Sequence, residues 1–397
     1  MYICGIIAEY DPFHTGHAHQ IQKTKNMLGD DCAIICVMSG NWTQRGSPAI
    51  IDKSHRARMA LEGGADLVLE LPLPYAVSSA EWFARGGVSV LNATGVVTHL
   101  CFGSECGQLE PLEKTAQCLD SDEYICQLRM FLDQGLSFPS ARQKAVAELI
   151  GDVSDCLSLP NNNLGVEYLR ALNWCGSSIT PITVHREGAG HGESPSGGFA
   201  SASYIRQLLR DGLFEEASHY SPSMQAKELY THLISSPCAA ERAMLFRLRQ
   251  MSVEELAAIP DCGEGLSYRL YQAIHENSSI ENILACAKSK RYTLSRLRRI
   301  LLWAFLGLTA ADRPDTPSYL RVLAMTPTGR LILRQIKEQS STPILTKPSH
   351  VKQMSASAQA LFELESNATD CYGLFLPHVP PCGTEWLRSP EILEPLK

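Results

Sequence analysis

The chain has no surplus of positive charge: 35 Lys and Arg stand against 42 Asp and Glu, a formal net charge of −7. That argues against a uniformly basic coat for nucleic acid and leaves only a local basic patch open. Long apolar runs are missing too. The longest, Ile300 to Leu308, is too short for a bilayer and lies beside arginines, so no membrane partner is expected. The N-terminal segment carries Glu9 and Asp11 and no basic leader, so no secretory signal is expected. Cysteine is plentiful at 14, yet Cys-x-x-Cys occurs nowhere. Cys32 and Cys36 lie in one apolar run and Cys101 in another. They read as small buried hydrophobes in a reducing, cytoplasmic setting, not as disulfides or a zinc site.

What is present is alternation. At 397 residues the chain can hold two or three domains, and its apolar content of 45% is that of an ordinary globular protein. Strand-like segments at Tyr2–Tyr10, Ala33–Met38, Asp66–Leu71, His99–Gly103 and Ile182–His185 alternate with helical ones. The helical segments are Gly16–Leu28, Lys53–Gly63, Ser79–Thr94, Asn163–Asn173 and Ala202–Arg210. Such alternation predicts an α/β fold around a Rossmann-like parallel sheet, with ligands at the carboxyl ends of its strands. From about Ala226 strand signals fade and amphipathic helical patterns take over. We therefore expect a catalytic unit at 1–225 and a mostly α-helical unit at 226–397. Ser340–Ser357 reads as a polar loop, Gly188–Gly198 as a mobile glycine-rich loop, and the end at Lys397 as a short, loosely structured tail.

The sharpest motif is Glu9–His17, where a short apolar run breaks at Asp11-Pro12 and delivers His14 and His17 around Gly16. Imidazoles at the first turn of a helix add donors to free backbone N–H groups and partial positive charge, which makes an anion site. Gly16 lets a phosphate approach the backbone. No third ligand sits at metal spacing, so no metal site is expected. The loop Ser39–Ala49 follows a buried strand and offers Ser39, Gly40, Asn41, Gln44 and Arg45 to a substrate group. Phe102-Gly103-Ser104-Glu105 places a glycine at a strand end, where a flat ring could pack. Of Asn161, Asn162 and Asn163, one can cap the following helix, leaving an amide for a ligand. Arg186, followed later by Ser201, Ser203 and Arg206, supplies guanidiniums and hydroxyls suited to a developing pyrophosphate. Finally, Lys288–Arg299 holds six cationic residues and no acidic one. Leu294, Leu297 and Leu301 share a helical face, which leaves arginines outside as a candidate phosphate-backbone contact or as a plain solvated face.

Taken together, these motifs resemble the bacterial tRNA(Met) cytidine acetate ligase family, within the nucleotidyltransferase superfamily marked by His-x-Gly-His. The resemblance rests on Glu9–His17, Ser39–Ala49, Gly64–Pro72, Phe102–Glu105, Pro160–Tyr168, Ser201–Arg206 and Lys290–Arg296, and covers almost the whole chain. It implies a HIGH-type nucleotidyltransferase sheet and a ligase that joins acetate to ATP as acetyladenylate. The acetyl group then passes to N4 of the wobble cytidine of elongator tRNA(Met). It implies ATP, carrying Mg2+ on its phosphates, bound by Ile7, Ala8, Glu9, Tyr10, Phe13, Gly16, Gly103, Asn162, Arg186, Ser201, Ser203 and Arg206. His14 and His17 would be catalytic, and Lys290, Arg291, Arg296, Arg298 and Arg299 would bind tRNA. No DNA partner is implied. Two departures stand out: Asp11 where Asn is usual, and Arg186–Gly192, R-E-G-A-G-H-G, where the family runs R-I-G-A-G-Y-H. Two other classes remain. A small-molecule nucleotidyltransferase of coenzyme biosynthesis would need only the first unit. A non-catalytic RNA-binding protein would leave the polar motifs at the strand ends without a role.

Overall fold

The computed structural model describes residues 2–186, 198–221, 232–263 and 265–394. The expected glycine-rich loop Gly188–Gly198 lies outside them except for Gly198, as do the departure at 187–192, the unit boundary at 225/226 and Lys397.

Five strands form the parallel sheet that the alternation predicts: β1 (Ile3–Ala8), β2 (Ala33–Ser39), β3 (Leu67–Leu71), β4 (His99–Ser104) and β5 (Thr180–His185). They run in the order β5-β4-β1-β2-β3, with every neighbouring pair parallel. β2 and β3 are buried along their whole length, as a sheet covered on both faces requires. Helices α1 (Thr15–Leu28), α2 (Lys53–Glu62), α3 (Ala80–Ala93), α4 (Pro160–Trp174) and α5 (Ala202–Arg210) connect and cover the sheet. Two apolar clusters lie against it. One holds Val37, Leu69 and Phe83, the other Ile34, Met38 and Ile205.

Beyond Ala226, where strand signals fade and helices do predominate, three short strands nevertheless occur. β6 (Leu320–Met325) pairs antiparallel with β3, and β7 (Ile344–Leu345) and β8 (Glu391–Ile392) pair with β6. The polar stretch Ser340–Ser357 is thus not a plain loop: it contains β7 and the 3-10 turn Pro348–Gln353. Polarity there reflects exposure beside a short strand, not absence of structure. The remaining helices of the second half build a third cluster around Leu270, Leu297, Trp303 and Phe375, which also takes in Trp42 from the loop after β2.

Charges hold these parts in register. Buried Lys53, at the start of α2, pairs with Glu70 of β3 at 2.7 Å and with Glu385 at 2.9 Å. Buried Arg321 of β6 reaches the same Glu385 at 3.4 Å. Burial opposes the Lys53 charge, but the two carboxylates outweigh it and raise its pKa. All fourteen cysteines are free, and Cys32, Cys36 and Cys101 are buried. No described helix is long and apolar enough to cross a membrane.

Candidate active site

The chain leaves β1 at Ala8 and turns through Tyr10, whose φ of +49° is a left-handed backbone unusual for a side chain of this size. The Tyr10 ring packs edge-on against Phe13 and His17, and its hydroxyl meets Cys36 Sγ at 3.2 Å. α1 then begins with His14 as its cap. His14 Nδ1 accepts the Gly16 N–H at 3.1 Å, and His17 Nδ1 accepts the His14 N–H at 3.2 Å. The two imidazoles thus form a reciprocal capping box, a role usually played by Ser or Thr with Glu. Their rings stack with centroids 3.7 Å apart. Gly16 is needed for this arrangement, because a Cβ there would lie 2.9 Å from the His14 ring.

The capping bonds fix the chemistry of both rings. With Nδ1 accepting, a neutral imidazole carries its proton on Nε2. Burial, with Arg186 and Arg206 nearby, lowers the His14 pKa to about 3. Burial, then His14 and Arg186, holds His17 well below its usual value. Both are neutral donors at pH 7, aided by the N-terminal dipole of α1.

These rings line a cavity of about 580 Å³ at the carboxyl ends of the parallel strands, a volume within the usual range for ligand sites. On one side lie Gly103, Asn161, Leu164, Tyr168 and Arg186, from β4, β5 and the start of α4. Glu105 caps α4, taking the Asn161 and Asn162 N–H groups at 3.1 and 2.7 Å. Arg186 donates to Asn161 Oδ1 at 2.6 Å. Burial lowers the Arg186 pKa, which Glu105 partly opposes. Across the cavity, Ser203 and Arg206 project from α5. Arg206 donates to the Asp11 carbonyl at 2.6 Å and lies 3.4 Å from its carboxylate.

The third wall is the loop after β2, with Thr43, Gln44, Arg45 and Ser47, backed by Ser295 and Arg299 of the helix Leu294–Leu306. Glu9 Oε1 accepts the Gln44 N–H at 2.6 Å. Burial raises the Glu9 pKa, and the Gln44 N–H opposes this. Gly46, at φ +74°, sits against the far helix, where a Cβ would come within 2.6 Å of the Arg298 and Arg299 backbone. Buried Arg56 of α2 donates to the carbonyls of Glu9, Ser39, Gly40 and Ile51, bracing the ends of β1 and β2. Among the described residues, four arginines (Arg45, Arg186, Arg206 and Arg299) and two carboxylates, Glu9 and Asp11, line the cavity, and both carboxylates are already engaged. The arrangement can hold a polyanion and stabilise charge that grows on it.

Residues 1–382 match the family model described as HIGH Nucleotidyl Transferase. A relative from Clostridium botulinum, named tRNA(Met) cytidine acetate ligase, is 36% identical over 99% of both chains. One of the same name from Syntrophomonas wolfei is 37% identical over 98% of this chain and 99% of its own. The chain belongs to the tRNA(Met) cytidine acetate ligase family. Its fold is that of a Thermotoga maritima member, TmcAL, solved bound with alpha-thio ATP. The two superpose with a TM-score of 0.91 at 31% identity, over 99% of this chain and 100% of the other.

Of the residues expected from the family motifs, Ile7, Ala8, Glu9, Tyr10, His14, Gly16, His17, Gly103, Arg186, Ser203 and Arg206 line the cavity, with Gln44, Arg45 and Arg299. Others turn away from it. Phe13 is buried behind His17. Asn162 Oδ1 accepts the N–H groups of Glu105 and Cys106, so its neighbours Asn161 and Asn163 face the cavity instead. Ser201 caps α5 by accepting the Tyr204 N–H. Ser39 and Gly40 present their carbonyls to Arg56, and Asn41 is bonded to Lys53 N and Thr369. The basic strip also divides. Lys290, Arg291 and Arg298 are exposed. Arg296 donates to the Asp261 carbonyl at 2.8 Å, and Arg299 turns into the cavity. Asp11, the family departure, gives Oδ1 to the Ile50 N–H at 2.6 Å, so its charge is spent between backbone and Arg206. His19, Gln20 and Phe199 also line the cavity and carried no sequence signal beyond nearness to the motifs.

Proposed function

We propose that this chain is an ATP-dependent tRNA(Met) cytidine acetate ligase. The reading rests on one observation above all: two neutral, stacked imidazoles at a helix N-terminus, ringed by arginines, at the carboxyl ends of a parallel sheet. In the first step an acetate oxygen attacks the α-phosphorus of ATP, and the bond to pyrophosphate breaks. The Nε2–H groups of His14 and His17 donate to the phosphates as charge moves onto the leaving group, with Arg186 and Arg206 as counter-charges. Gly103, Asn161 and Tyr168 hold the adenosine side. In the second step N4 of the wobble cytidine of elongator tRNA(Met) attacks the acetyl carbon, AMP departs and a proton is released to water. No covalent enzyme intermediate is required, because the site's task is alignment and charge stabilisation.

Among the described residues, no three His, Cys, Asp or Glu side chains gather to hold a metal ion. Mg2+ carried on the phosphate oxygens would arrive with ATP, and the chain's own part is to bind those phosphates. We assign residues 1–225 chiefly to adenylation. Residues 226–397 take RNA contact, with exposed Lys290, Arg291 and Arg298 on tRNA phosphates. The names of the relatives and the ATP analogue in TmcAL support this reading. The test is ATP–pyrophosphate exchange with acetate and other small acids, followed by mass spectrometry of tRNA incubated with ATP and labelled acetate. Acetate-dependent exchange and labelled N4-acetylcytidine are expected. Exchange driven by another acid without RNA labelling would favour a small-molecule nucleotidyltransferase.

A further inference from the structure

The cavity wall built by the loop after β2 and the helix Leu294–Leu306 has donors that nothing satisfies. The side-chain nitrogen of Gln44 and the Nε of Arg299 are both shielded from solvent and have no hydrogen-bond partner. A different nitrogen of Arg299, Nη1, donates to the Gln44 carbonyl oxygen at 3.5 Å, which places the two residues side by side. Their backbones are locked together. Glu9 holds the Gln44 N–H, and the helix backbone leaves no room for a Cβ on Gly46. A buried donor without an acceptor costs about 1–3 kcal/mol. Both residues line the cavity, so a small turn of either side chain would bring its unpaired donor to a ligand's acceptor.

We infer that Gln44 and Arg299 read the accepting cytosine, donating to its N3 and O2 and leaving N4 free to attack the acetyl group. The inference rests on the proposed function. A base fits better than the acid or the triphosphate because of the wall's origin. Among the described residues, Ser295 and Arg299 are the only cavity-lining side chains from the second half of the chain. The same helix carries exposed Arg298 just outside the cavity, next to the basic segment ending at Arg291. A nucleotide held on that surface would be delivered to this wall. Cytosine presents two acceptors beside its amine, matching two donors. Uracil presents an N3–H, which would face a donor and leave both unpaired. The wall therefore selects for a cytosine before chemistry begins.

The test uses the full chain with Gln44→Leu, which removes the amide donor, and Arg299→Lys, which removes the Nε–H while keeping the charge. Three quantities are read: acetate-dependent ATP–pyrophosphate exchange, acetyl transfer to a tRNA(Met) transcript, and relative binding of transcripts with cytidine or uridine at the accepting position. Wild-type protein should prefer the cytidine transcript by about 5- to 150-fold, the range for a matched base contact. In each variant that preference should shrink at least fivefold, and transfer should fall at least tenfold further than exchange. Equal losses of exchange and transfer, with base preference intact, would place these donors on the acid or the nucleotide and overturn the inference. Unchanged transfer and preference would overturn it as well. Wild-type protein with neither acetate-dependent exchange nor labelled tRNA would instead refute the proposed function, a result visible before any variant is made.

Discussion

Replacing His17 separates its two roles, because its two ring nitrogens do different work. Nδ1 closes the cap on α1, which leaves Nε2–H as the remaining donor of a ring that lines the cavity. Asn places an oxygen near Nδ1 and reaches no further, so His17→Asn should keep the cap and lose the donor. His17→Ala loses both. Removing one preorganised donor typically costs about 2.7–4 kcal/mol of transition-state stabilisation, or about 100- to 1,000-fold in rate. Losing a cap costs about 0.5–2 kcal/mol of stability. For a chain of 397 residues, an unfolding entropy near 2.1 cal/mol/K per residue makes each kcal/mol worth about 1 °C in Tm. Both variants should therefore lose at least about 100-fold in acetate-dependent exchange. Their melting temperatures should differ from wild type by no more than about 2 °C, with His17→Ala the lower. Near-wild-type exchange in His17→Asn would refute the assignment of Nε2–H to the phosphates. A Tm drop of ten degrees or more would mean the ring's role is chiefly structural.

Arg206→Ala should impair exchange even without tRNA, since the guanidinium faces the cavity, and Arg206→Lys should recover part of it by re-pairing Asp11. Loss confined to acetyl transfer would refute that placement. Lys290→Ala with Arg291→Ala should weaken tRNA binding and flatten its salt dependence while exchange survives, as measured by binding titrations between low and physiological salt. Equal loss of exchange would tie the strip to the fold. Stability should also depend on pH through the histidines. Native His14 and His17 stay neutral while the unfolded chain gains protons below about pH 6.5, so their contribution is full above that pH and falls as pH drops, for His14 down to about 3. Between pH 7.5 and 5.0 the loss from His14 is up to about 2 kcal/mol, and His17 adds to it in the same direction. Denaturant midpoints of wild type should therefore fall further over that range than those of the double variant His14→Asn, His17→Asn.

The parallel sheet was legible because its signals are local. Ala33–Met38 is apolar throughout, and α5 was read at its observed limits, Ala202–Arg210. The pairing of His14 and His17 around Gly16 at a helix start was legible, but the capping box was not, since imidazoles rarely cap helices. The asparagine run shows the limit of composition. Successive residues of a helix point about 100° apart, so which of Asn161, Asn162 and Asn163 meets the cavity depends on the phase of α4, which Glu105 sets from another element. The same holds for the basic strip, where Arg298 points out and Arg299 points in. β6 escaped because six residues among helical neighbours give no periodic signal. Its partner β3 is remote in sequence.

The antiparallel seam between β3 and β6 also bears on how the protein is made. During synthesis β1 to β5 emerge long before Leu320–Met325, so the backbone of Leu67–Leu69 waits as an open strand edge. Such an edge can template pairing with another chain. The nascent N-terminal half is therefore exposed to self-association until the ribosome has delivered most of the remaining chain. A protein stopped before Leu320 would keep that edge permanently.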